Sequence, residues 1–140
     1  MKKNIICSAT VVILGLLIAF GPQFLFKVCG GGCACCGDTP TCHWAGLAEV
    51  GMGLIIAALG LCLLVFTTIQ TQLGLAIGVF LTGLFALLIP HVIIGGCVTK
   101  TMACHRVAFP ALTIESGILL AFSALMVVMA VVGIKKQTIR

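Results

Sequence analysis

Four runs of apolar residues, at about Ile5–Phe26, Ala45–Ile69, Leu73–Ile94 and Ala111–Ile134, dominate this chain. Each reaches the roughly 20 residues that a helix needs to cross the hydrocarbon core of a bilayer. Composition agrees: of 140 residues, 61% are hydrophobic and only 8% charged, against about a quarter charged in a soluble domain. The expected fold class is an all-α integral membrane protein with four transmembrane helices. The first run follows Lys2 and Lys3 and so has the outline of a secretory signal. It is longer than a usual signal core, however, and Gly21-Pro22-Gln23 leads into more apolar residues rather than a small-x-small cleavage site. It is read as a retained helix.

The chain is also written twice. Phe20-Gly21-Pro22 through Val28-Cys29 returns as Leu88-Ile89-Pro90 through Gly96-Cys97, with the same seven-residue step from proline to cysteine. Each copy continues to a Cys-His pair, Cys42-His43 and Cys104-His105, and then to Glu-x-Gly, at Glu49-Val50-Gly51 and Glu115-Ser116-Gly117. The expected organisation is two tandem helical hairpins, residues 1–69 and 70–140, each with a cysteine-bearing loop at 27–44 or 95–109. Corresponding polar positions in repeated membrane hairpins point to a site.

Charge gives the orientation. Lys2, Lys3, Lys135, Lys136 and Arg140 lie on one side, and Lys27, Lys100 and Arg106 on the other, so the positive-inside rule puts both termini in the cytoplasm. Seven of the nine cysteines then fall in the extracytoplasmic loops, where disulfides persist. The net charge of +5 is topology signal at membrane edges and forms no basic stripe for nucleic acid. The link Thr67–Gln72 is too short for a cytoplasmic domain.

Loop 1 holds Cys29, Cys33, Cys35, Cys36 and Cys42 among glycines, and loop 2 holds Cys97 and Cys104. The repeat pairs Cys29 with Cys97 and Cys42 with Cys104 by position, so the simplest framework has one bridge in each loop, Cys29–Cys42 and Cys97–Cys104. Cys33, Cys35 and Cys36 have no counterpart in loop 2. They are open to a third disulfide, to a working dithiol, or to a soft metal such as Cu(I) or Zn held with Cys42 or His43. Cys7 and Cys62 lie within helices and read as small apolar residues.

Charge inside a membrane is costly, so Glu49 and Glu115, expected about one turn inside helices 2 and 4, carry weight. Either they anchor the loops through His43, His105, Arg106, Lys27 or His91, or they form a proton, cation or cofactor site between the repeats. His91, after Pro90, reads as an interfacial histidine, and Trp44 as an interface anchor. Small residues mark helix-packing faces: Gly74, Gly78, Thr82 and Ala86 on helix 3, and Gly53, Ala57 and Gly60 on helix 2.

Val28-Cys29, Cys42-His43-Trp44 with Glu49-Val50-Gly51, Ile89-Pro90, Gly96-Cys97, Met102-Ala103-Cys104 and Pro110-Ala111-Leu112 resemble the small bacterial membrane proteins grouped as domain of unknown function 4418. The resemblance covers nearly the whole chain and implies a compact four-helix membrane protein with no established activity. Members often encoded beside ABC transporter components imply an accessory subunit. The Gly-Gly-Gly-Cys-Ala-Cys-Cys segment departs from the pattern, so the family lends it no role. A second, architectural resemblance is to disulfide-forming quinone reductases and vitamin K epoxide reductases. Cys33/Cys36 with Cys97/Cys104 supply the two exchanging pairs that such chemistry needs, but no quinone-site arginine or aromatic cluster stands out.

The expected function is thus a non-enzymatic small membrane subunit with a disulfide-braced extracytoplasmic cap. Its partner is expected to be a membrane protein such as an ABC transporter permease, or a second copy of the chain. No cofactor is expected. The alternatives are a thiol oxidoreductase with a quinone acceptor and, third, soft-metal handling.

Overall fold

The computed structural model describes residues 2–21, 24, 41–93 and 109–138. Within them the chain is helical almost throughout: α1 Lys2–Phe20, α2 Thr41–Val65, α3 Ile69–Leu88 continued by a π-helical turn Ile89–Ile93, and α4 Phe109–Thr138. In an apolar medium a backbone must satisfy its own hydrogen bonds, which is why long apolar runs become helices. Trp44–Val65, Ile69–Leu88 and Pro110–Lys136 are long and apolar enough to cross a membrane; the apolar stretch described in α1, Ile5–Phe20, is shorter. The expected first span reaches Phe26, and residues 25 and 26 lie outside the described set.

Helix limits shift from those expected for local reasons. α2 starts at Thr41 rather than near Ala45, so Cys42, His43 and Trp44 occupy its first turn. α4 starts at Phe109 with Pro110 in its first turn, where the missing N–H leaves no helical bond unmade and the fixed φ suits a helix start. Its last turn takes in Lys135 and Lys136, whose charge suits the negative end of the helix dipole. The expected polar link at 67–72 contracts to residues 66–68, because Gln70, Thr71 and Gln72 form the first turn of α3. Phe66 N–H donates to the Cys62 carbonyl and Gln72 N–H to the Thr68 carbonyl, both at 2.9 Å. Thr68 itself is extended, with φ −68° and ψ 129°. So short a link makes α2 and α3 antiparallel neighbours.

The π turn at Ile89–Ile93 contains Pro90. Proline removes one backbone donor and crowds the preceding turn, and widening the helix by a residue per turn is one way to absorb both. Gly21 and Phe24 at the end of α1 are also π-helical, so the two halves of the sequence repeat end their first helix in the same manner. The Phe20 and Phe24 rings stack there in a tilted pair, 6.1 Å between centroids.

α1 packs most closely on α2 and α3 on α4; α2 adjoins α3, and α1 meets α4 only lightly. α2 and α4 are therefore diagonal across the bundle. Val11 and Ile18 of α1, Ile56 and Leu63 of α2, Val79 of α3 and Leu119 of α4 make the core. Large apolar side chains also cover the outside, among them Ile13, Leu54, Leu81, Phe85, Leu125 and Val132. Helices apolar on both faces are what a bilayer selects, and the fold fits a membrane protein.

The α1–α2 contact depends on missing side chains. A Cβ on Gly15 would lie 2.6 Å from the backbone nitrogen of Ala57, and one on Gly53 would collide with the backbone of Ala19. A Cβ on Gly60 would sit 2.8 Å from a Val12 methyl carbon. Gly15-x-x-x-Ala19 faces Gly53-x-x-x-Ala57, the small-residue crossing that lets backbones in lipid approach closely. On α3 the small residues behave differently: Gly78 has ordinary contact with Leu59 at 3.7 Å, and Gly74 has open space where its Cβ would be. Thr82 returns its hydroxyl to the Gly78 carbonyl at 2.8 Å, satisfying the polar group within its own helix.

Candidate functional site

Glu49 and Glu115 are brought to the same end of the bundle, the end from which the cysteine-bearing segments leave. Glu49 lies about two turns inside α2, deeper than expected because that helix begins four residues earlier. Ala45, Glu49, Ile56 and Leu63 recur at spacings of four and seven residues, and all four are buried, so Glu49 belongs to the core stripe of α2. Its exposure is 1%. On α4 the matching stripe is Leu112, Ser116, Leu119 and Ser123, also buried, with Glu115 half-buried at its edge.

The two carboxyl groups come from diagonal helices, and besides its burial Glu49 is within electrostatic reach of Glu115. Among the described residues, neither oxygen of Glu49, nor Glu115 Oε2, nor Ser116 Oγ has a hydrogen-bond partner. Ser123 differs, donating to the Leu120 carbonyl at 3.0 Å. A buried polar atom left unpaired costs about 1–3 kcal/mol, and here four such atoms cluster in one place. Chemically, the cluster can accept: a proton, a cation, or donors from the loops above it.

His91, the candidate partner within the described residues, sits exposed on the π turn. Its Nδ1 lies 3.1 Å from the Leu87 carbonyl, and a carbonyl only accepts, so Nδ1 donates. Nε2 is then placed to accept from the Thr113 hydroxyl at 3.4 Å. This pair ties the end of α3 to α4 two residues outward of Glu115. Of the other expected partners, Lys27, His105 and Arg106 lie outside the described residues, as do Cys29, Cys33, Cys35, Cys36, Cys97 and Cys104 and the side chains of Cys42 and His43. Cys7 and Cys62 are free, half-buried thiols. Among the described residues no three His, Cys, Asp or Glu side chains converge as for a metal ion.

The family described as Domain of unknown function (DUF4418) matches residues 11–129. The chain belongs to this family. The DUF4418 match takes in both carboxylates, the Gly15 and Gly53 crossing, and the π turn with His91. No curated protein and no solved structure matches the sequence.

At the other end of the bundle a cavity of about 260 Å³ opens among Cys7, Leu63, Gln72, Phe122, Met126 and Met129. Spacing alone points to Glu49, Glu115 and Gly53. It passes over Gly15, Ser116 and Thr113. Gly15-x-x-x-Ala19 is present as a small-residue signal; Ser116 and Thr113 carry no signal, since a hydroxyl in an apolar helix acquires meaning only from what faces it.

Proposed function

We propose that the chain is a non-enzymatic small membrane subunit that spans the bilayer four times, both termini cytoplasmic. In this proposal the cysteine loops form a disulfide-braced extracytoplasmic cap, and the partner is a membrane complex such as an ABC transporter permease. The observation that carries the proposal over an oxidoreductase is the position of the cavity. Leu63, on its wall, stands about 30 Å along α2 from Cys42 at 1.5 Å per residue. A quinone seated there would be far from Cys42 at the start of α2, and thiol exchange needs contact. The backbone-to-backbone fit of α1 on α2 supports a rigid scaffold rather than a moving one. The unpartnered carboxyls beneath the loops supply acceptors by which a cap can be anchored, with Cys29–Cys42 and Cys97–Cys104 as its bridges.

Co-purification in mild detergent tests this. We expect a transporter permease or another integral membrane protein at fixed ratio, and Cys33→Ser and Cys36→Ser chains that still assemble with it. Recovery of a secreted thioredoxin-like protein as a mixed disulfide with Cys33 or Cys36 would replace the subunit with the oxidoreductase. So would Cys97 found joined to a loop 1 cysteine. Stoichiometric copper or zinc that leaves on Cys35→Ser would favour metal handling, and a pure homo-oligomer would remove the separate partner.

A further inference from the structure

The cavity at the end away from the cysteine loops has a shape and a charge that the proposed function does not use. Its walls come from all four helices, Cys7 on α1, Leu63 on α2, Gln72 on α3, and Phe122, Met126 and Met129 on α4. It lies beside the α1–α4 seam, where neighbouring helices touch least, so it has a lateral way in from the bilayer. Leu125 and Met129, which line the cavity, are both more than half exposed. The lining is mostly apolar, with the Ser8 hydroxyl and the Gln72 amide as its polar groups besides the Cys7 thiol.

Charge tells what kind of molecule fits. On α4 the lining residues Phe122, Met126, Met129 and Gly133 follow the three- and four-residue steps of one helix face, and the next step on that face is Lys136. Lys136 and its neighbour Lys135 are both exposed, just past the cavity. Lys2 and Lys3 open α1 at the same end. Glu49 and Glu115, the acidic residues among those described, lie at the opposite end of the bundle. An apolar slot leading to a purely cationic rim matches an amphiphile with an acyl chain and a negative headgroup. A neutral quinone would gain nothing from the lysines.

We infer that this cavity seats one acyl chain of an anionic phospholipid, whose phosphate is met by Lys135 and Lys136. The lipid closes the α1–α4 seam that the protein leaves loosely packed. The test uses the purified full-length protein equilibrated with equal amounts of phosphatidylglycerol and phosphatidylcholine of identical chains, with retained lipid weighed by native mass spectrometry. A lysine beside an anionic membrane surface is worth about fivefold, so roughly tenfold or greater preference for phosphatidylglycerol is expected from the pair. K135Q/K136Q should hold both lipids equally, and Ala130→Phe, which fills the lining, should hold less of either. Equal retention by the wild-type chain, an unchanged preference in K135Q/K136Q, or a stoichiometric quinone in the solvent extract would overturn the inference. Should Ala130→Phe fail to fold, the competition on the wild-type and K135Q/K136Q chains decides alone.

Discussion

Glu49 combines near-complete burial with two carboxyl oxygens that find no donor among the described residues, and a second carboxyl, that of Glu115, is within electrostatic reach. A carboxyl in a low-dielectric interior is costly to ionise and costly to leave unpaired. Glu49→Gln keeps the shape and removes the ionisable group. The expected outcome is thermal unfolding in detergent no earlier than wild type, with a gain on the order of 1 kcal/mol. A loss of about 3 kcal/mol or more would instead mean that a loop cation pairs with this carboxylate, since stranding one member of a buried ion pair costs that much. That Glu49 lies within an apolar helix was legible in the sequence, where an acidic residue is costly wherever it points. Its depth was not: the start of α2 moved by a turn, since nothing in Thr41-Cys42-His43-Trp44 resembles a helix start. The contact of His91 with Thr113 was not legible either, because those residues meet only when α3 and α4 are neighbours.

Helix faces show the opposite pattern. In a soluble helix the apolar stripe marks the buried side, but α2, α3 and α4 are apolar all round, so periodicity does not distinguish the core from the lipid. Small residues are then the remaining signal, and they mark Gly53 and Gly74 alike. The structure separates them, and one chemical change should give opposite signs. Gly53→Ala forces α1 and α2 apart, and a loss of about 1–3 kcal/mol is expected from overpacking. Gly74→Ala meets open space and should gain about 0.5–1 kcal/mol from helix propensity. Paired unfolding curves check both; a stable Gly53→Ala chain would mean that the α1–α2 crossing is looser than described. The Pro90 signal was legible as a helix limit, whereas its resolution into a π turn was not.

For the molecule as a whole, the membrane class, the four helices and the family were all written in the sequence, because span length, hydropathy and motif spacing do not depend on tertiary contacts. Sidedness rests on few charges and is open to test. An impermeant thiol reagent applied to intact cells should label Cys97 and Cys104 only after reduction, while a Thr68→Cys substitution in the α2–α3 link should be labelled only after permeabilisation. Labelling of that introduced thiol from outside would invert the orientation. The helices also differ in reach. The span on α4, Pro110–Lys136, runs 27 residues, about 40 Å at 1.5 Å per residue, against about 30 Å of hydrocarbon, while that on α3, Ile69–Leu88, runs 20. A bilayer cannot match both lengths at once. α3 spans at close to its own length while α4 leans or projects, so the protein presents an uneven hydrophobic collar, and it should be retained in membranes of different thickness with a different lean of α4 in each.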